Sequence, residues 1–272
     1  MKKILAFVSV LFILVLAACG GNDSSGDENT ITVGASSVPH AEILEEAKPI
    51  LEEEGVTLEI EPYEDYVLPN DDLASGELDA NYFQHIPYLE QTINDTGYDL
   101  DYIDGIHIEP IGVYSQSIAG IDEIPDDTEV LLSNSVPDHG RILALFEDKG
   151  LIKLDENVER ETATVEDIVE NPKNLQFSPD YDPAMLPELY ETEENTLVVI
   201  NTNYAIGAEL NPVDDAIFIE GKESQYVNVI AVKTEDKDNE ALNTLVEVLQ
   251  SEEIQDFILK EYEGAVVPVS GE

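Results

Sequence analysis

Along most of this chain, short strand-like runs alternate with helix-spaced segments. "TITVGA", residues 30–35, alternates as a short buried strand. In "HAEILEEAKPILEEEG", residues 40–55, Ile43, Leu44, Ala47, Ile50 and Leu51 recur at three and four, the helical spacing, and Gly55 is the stop. "VTLEIEPY", residues 56–63, alternates as a strand, and "DDLASGELDANYF", residues 71–83, reads as a helix ending at Gly76 and leading into another strand. This order predicts an α/β fold whose parallel strands are joined by right-handed crossovers.

The pattern returns further on. Residues 129–134 read as a strand, and 140–154 as a helix that ends at Gly150. Residues 195–210 read as a strand running into a helix, and 225–236 as a strong strand. Residues 239–262 read as one or two amphipathic helices, with Leu242, Leu245, Val246 and Leu249 on one face. No tandem repeat is present. The length suits two α/β lobes, with the chain returning to the first near Val227. The expected division is 31–112 plus 228–272 for lobe one and 113–227 for lobe two. Ligands of such folds usually sit in clefts at the carboxyl ends of strands.

The first thirty residues follow other rules. Lys2 and Lys3 precede "ILAFVSVLFILVLAA", an apolar run too short for a comfortable membrane span. It ends in "LAAC", which resembles the lipobox of bacterial lipoproteins. That likeness implies a signal peptide over 1–18, removal before Cys19, and lipid on the cysteine sulfur. Residues 19–30, rich in Gly, Ser, Asn and Asp, read as a flexible tether. The body is then expected at the extracytoplasmic face of the cell membrane, held by lipid rather than by a spanning helix. Cys19 is the only cysteine, which excludes an internal disulfide or a Cys-based zinc site.

Sixty acidic residues against twelve basic give a formal net charge of −48. Nucleic acid is excluded as a partner, because phosphate binding needs a basic face. The chain is still 43% hydrophobic, so a core can form and the acidity belongs to the surface. There, dense carboxylates stay hydrated in a salty or alkaline exterior. No "GxSxG", P-loop, "HExxH" or strand-following "GxGxxG" occurs, so neither a cofactor nor an enzymatic role is expected. His40, His85, His107 and His139 lack the close spacing of a local metal site, so no metal is expected, although distant residues can meet in space. Paired carboxylates carry no signal among so many acids. The residues point to a tethered solute-binding protein.

One stretch, "DANYFQHIPYLE", residues 79–90, gathers aromatics and a histidine. Pro87 suits the first turn of a helix stopped near Gly97. Phe83 and His85 alternate to one side of an extended segment, and Tyr88 stands one turn into the helix. On periodicity alone, core packing and the lining of a cleft are both open.

That stretch, with "VPHAEILEEAKPILEEEG", "EPYEDYVLPNDDLASGEL", "VINTNYAIGAELNP" and "YVNVIAVKTED", resembles the NlpA lipoprotein family over nearly the whole mature chain. The resemblance implies a two-lobed type II periplasmic-binding-protein fold. It also implies capture of methionine, L- or D-, or a methionine-containing dipeptide, and delivery to an ABC permease driven by a cytoplasmic ATPase. By the same resemblance, Tyr66, Phe83, His85 and Tyr88 line the ligand, Arg141 binds its carboxylate, and Asn203 and Asn228 bond its backbone. Asn201 is a lesser match, and His40 is read as structural. A second class stays open, a protein of the same fold for another small amino acid-like solute or a metal ion, motivated by the abundant acids. One departure stands out. The family reads roughly "NDPxNxxRAL" before the arginine helix, and this chain reads "NSVPDHGRIL". Asp138 replaces an asparagine and Ser135 an aspartate. A carboxylate there favours a ligand ammonium and disfavours a second carboxylate.

Overall fold

A computed structural model describes residues 29–221 and 224–269. The segment 1–18, Cys19 and most of the tether lie outside the described residues.

The strands form two main sheets. The first contains β1 (Thr30–Ser36), β2 (Thr57–Tyr63), β3 (Ala80–Tyr82), β4 (Leu100–Ile108), β12 (Val227–Lys233) and β13 (Val267–Pro268), in the order β13-β4-β12-β3-β1-β2. β1 runs parallel to β2 and β3, while β12 lies antiparallel between β3 and β4. The second contains β5 (Gly112–Tyr114), β6 (Glu129–Ser133), β9 (Gln176–Tyr181), β10 (Leu197–Ile200) and β11 (Phe218–Ile219), in the order β11-β5-β10-β6-β9. β7 (Lys153–Leu154) and β8 (Ile168–Glu170) pair separately. The chain therefore passes between the main sheets twice, from Ile108 to Gly112 and from Ile219 to Val227. Each sheet anchors one α/β lobe.

Helix α1 (Glu42–Glu53) buries Ile43, Leu44, Ala47 and Leu51 in the core of the first sheet. The same core takes the buried face of α7 (Glu240–Leu249), including Leu242, Leu245, Val246 and Leu249, and Ile254 and Ile258 of α8 (Glu252–Glu261). Asn239 and Ser251 start α7 and α8 by accepting first-turn N–H groups. In the second lobe, α4 (Val136–Asp148) buries Ile142, Leu143, Leu145 and Phe146. The Phe146 ring meets Phe177 and Phe218 edge-on at 5.2 and 5.3 Å.

Helix starts were the least legible feature. α2 (Leu68–Ser75) begins before the expected residue 71, with Asp65 accepting the N–H groups of Val67 and Leu68. α4 begins at Val136 rather than 140, because Pro137 fits a first turn where its missing N–H costs nothing. α3 (Ile86–Thr96), α5 (Leu186–Thr192) and α6 (Thr202–Gly207) complete the set. Among the described residues, no helix is long and apolar enough to cross a membrane.

Gly140 lets the turn Arg160–Thr162 lie directly on α4: a Cβ there would stand 2.1 Å from the Glu161 carbonyl oxygen. Gly140→Ala should therefore cost about 1–3 kcal/mol through overpacking. Calorimetry should show a lower Tm, and an unchanged Tm would mean that the turn yields freely.

Candidate functional site

The strand ends of both lobes converge on one cavity, with about 410 Å3 of empty space including the part open to solvent. Tyr66, Phe83, His85, Tyr88 and Asn228 reach it from the first lobe, and Asp138, Arg141 and Asn203 from the second. These are the residues singled out from the sequence, and the fold brings all of them to the same cavity. Asn201, the lesser match, lines it too.

His85 is placed by the start of a helix. It is the N-cap of α3, and its Nδ1 accepts the Tyr88 N–H at 3.2 Å. The ring proton is then on Nε2, which donates across the cleft to Asp138 Oδ1 at 3.1 Å. Tyr88 donates its hydroxyl to the Tyr66 carbonyl at 2.9 Å, and Tyr66 donates to Asn203 Oδ1 at 2.6 Å. The rings of Tyr66, Phe83 and Tyr88 stand 5.9 to 6.0 Å apart, and Tyr204 lies 5.1 Å from Tyr66. Behind this corner, Asn70, Asn81 and Gln84 form a buried amide network, Gln84 donating to Asn70 at 2.7 Å and to Asn81 at 2.8 Å. Satisfied networks of this kind hold a corner rigid.

Arg141 is buried on α4. It donates to the Glu109 carbonyl at 2.8 Å, to Glu220 at 2.6 Å and to Asp138 at 3.3 Å, and its guanidinium lies 4.5 Å from the centre of the Tyr226 ring. Burial alone would raise the Asp138 pKa, but the hydrogen bond from His85 and the positive charge of Arg141 outweigh it and hold the carboxyl well below the usual range. Among the described residues, Arg141 Nε and Asn201 Oδ1 are buried without a partner.

A second cluster lies beneath the first. Glu109 Oε1 accepts from His107 Nε2 at 2.9 Å and stands 3.3 Å from His40 Nε2. His40 Nε2 is also 3.2 Å from Asn228 Oδ1. The Asn203 N–H reaches Glu109 Oε2 at 3.2 Å, and the Tyr82 hydroxyl bonds His107 Nδ1. Burial pushes His40 down to about 4 and His107 down to about 3, so both rings are neutral, and burial pushes Glu109 up. One ligand-type atom from each of His40, His107 and Glu109 lies within 4.8 Å of the others. Spacing along the chain could not show this, because His40 and His107 sit on different elements and meet only across the sheet. As placed, His107 Nε2 donates to Glu109 and His40 Nε2 donates to Asn228 Oδ1. Glu109, Glu220 and Tyr226 were missed from the sequence. Their only signal is their place in the two passages between the sheets.

Two α/β lobes, joined twice and closed over a polar and aromatic cavity, make this a type II periplasmic-binding-protein fold. The NlpA lipoprotein family model matches residues 31–270, and the chain belongs to that family. It is 46% identical to the methionine-binding lipoprotein MetQ of Bacillus subtilis, over 99% of this chain and 100% of that one. A pheromone cOB1 precursor/lipoprotein of the YaeC family from Enterococcus faecalis superposes with a TM-score of 0.86 at 50% identity, covering 88% of this chain and 100% of that one. A nutrient binding protein from Burkholderia cenocepacia, bound to methionine, superposes with a TM-score of 0.82 at 38% identity, covering 88% and 99%.

The buried histidines set an acid limit on stability. His40 and His107 fall from an ordinary value of 6.5 to about 4 and about 3 on folding. Below pH 6.5 the unfolded chain binds protons that the native rings refuse, so their contribution is full above 6.5 and drains away as pH falls. Glu109, raised on folding, works in the opposite direction and offsets part of this. Tm should fall between pH 6.5 and 4, and His107→Gln should flatten the fall. Parallel slopes for parent and variant in thermal melts would refute this account.

Proposed function

We propose that the protein is a lipid-anchored, extracytoplasmic solute-binding protein that captures methionine, L- or D-, or a methionine-containing dipeptide, and hands it to an ABC permease with a cytoplasmic ATPase. The carrying observation is a three-way division of the cavity. Arg141 offers an unpartnered donor, Asn201 an unpartnered acceptor, and Tyr66, Phe83 and Tyr88 a soft aromatic end. A ligand carboxylate suits the guanidinium. An ammonium suits Asn201 Oδ1 with the carboxylates of Asp138 and Glu109. A thioether suits the ring edges. Asn203 and Asn228 complete the contacts to the ligand backbone. The names of the relatives and the methionine-bound neighbour support the same ligand.

Binding is closure, and no covalent step is involved, so the protein is not an enzyme. Tyr66 to Asn203, His85 to Asp138 and Tyr204 to Glu64 already span the cleft, and the closed face is what the permease reads. The lobes are 31–112 plus 228–272 and 113–227, a division supported by the strand membership of the two sheets. Cys19 carries the lipid, supported by the "LAAC" sequence and the family.

A thermal-shift panel tests the ligand. Methionine at about a hundred times its Kd should add about 2.7 kcal/mol of stability, a rise of several degrees. Shifts with divalent metals and none with methionine compounds would favour a metal reading centred on His40, His107 and Glu109. Arg141→Ala is a blunt probe, because it also leaves the buried Asp138 and the partly buried Glu220 without their cation. Arg141→Lys keeps the charge and removes the fork. It should weaken methionine binding by roughly tenfold to a hundredfold, and undiminished affinity by calorimetry would refute the carboxylate assignment. Cys19→Ala should move the protein from the membrane fraction to the medium or periplasm, and retention on the membrane would sink the anchor.

A further inference from the structure

The charges around the cavity do not balance. Asp138 and Glu109 line it, Glu220 grips Arg141 from behind, and among the described residues Arg141 is the only lysine or arginine in the lining. His40 and His107 are neutral, and His85 has its Nδ1 occupied as an acceptor, so it bonds Asp138 without needing a second proton. Three acids against one base leave an excess of negative charge. The excess survives even if Glu109 takes a proton, because Asp138 is held ionised and Glu220 remains. A zwitterionic amino acid adds no net charge and leaves that excess in place.

The negative potential reaches the aromatic end. Asp138 and Glu109 share the cavity wall with the Tyr66 and Tyr88 rings, and His85, bonded to Asp138 at 3.1 Å, has its ring centre 6.3 Å from that of Tyr88. Both rings line the cavity with Phe83. A neutral thioether gains nothing from that potential. A poorly hydrated cation gains from the potential and from the ring faces together. A primary ammonium fits less well, being strongly hydrated and in need of acceptors, while the Tyr66 and Tyr88 hydroxyls are already committed to Asn203 and the Tyr66 carbonyl.

We propose that the preferred ligand is the S-alkylated, sulfonium form of the amino acid, with Asp138 as the residue that sets this preference. The inference rests on the amino-acid reading above and names its substrate class. Asp138 is the acid that departs from the family pattern, and without it Glu109 is the one carboxylate left among the described residues that line the cavity.

The test is calorimetric titration of the full mature lipoprotein in detergent with four compounds: L-methionine, S-methyl-L-methionine, its uncharged isostere 2-amino-5-methylhexanoic acid, and L-lysine. The sulfonium should bind about tenfold more tightly than methionine and than the isostere, and lysine more weakly than the sulfonium. Asp138→Asn should shrink the sulfonium-to-isostere ratio. That ratio in the parent protein separates charge from shape, so the proposal stays testable even if the variant fails to fold. Methionine binding with an equal or weaker sulfonium overturns this inference and leaves the amino-acid reading standing. Failure of all four compounds overturns both.

Discussion

A single buried guanidinium organises the centre of this molecule. Arg141 belongs to a helix of the second lobe, yet its donors end on Glu109 and Glu220, which lie in the two passages between the sheets. Burying such a charge is expensive unless geometry and partners are good. Here two carboxylates, a backbone carbonyl and the face of Tyr226 meet that requirement. The result is that the residue best suited to hold a ligand carboxylate also grips both segments that connect the two sheets. On the proposed function, contact with solute and the angle between lobes would be linked through that one side chain.

The alternation of strand-like and helix-spaced segments revealed the α/β class and the order of the larger elements, because buried faces leave a periodic trace. The cavity residues were legible for a different reason: the block around Phe83, His85 and Tyr88 and the asparagines at 203 and 228 interrupt otherwise apolar patterns, and the family likeness gave them a place. Helix starts at Leu68 and Val136 were hidden because a proline in the first turn looks like a break until its position is known. Glu109 was invisible among sixty acids. Its neighbours His40 and His107 lie far apart in sequence, and no local period encodes a contact made across a sheet.

The surface obeys another constraint. With twelve basic residues against sixty acidic ones, most carboxylates have no cationic partner, and several ion pairs involve well-exposed side chains, such as Lys153 with Glu156. Pairs of that kind contribute little. Self-repulsion among the carboxylates is moderated instead by dissolved ions, whose screening length shrinks to roughly 8 Å at 0.15 M and 3 Å at 1 M.

The strand β12 has a place in the first sheet that its place in the chain does not suggest. It lies between β3 and β4, yet it is made after the whole of the second lobe. Until residues 227–233 emerge, the edges of β3 and β4 that it will join stand open, and α7 and α8 are not yet there to cover the sheet. An incomplete sheet is exposed to wrong pairings. Lobe two, wholly contained between the two passages, can assemble while lobe one waits. In a chain made from its N-terminus, the last segment to arrive is the one that commits the first lobe.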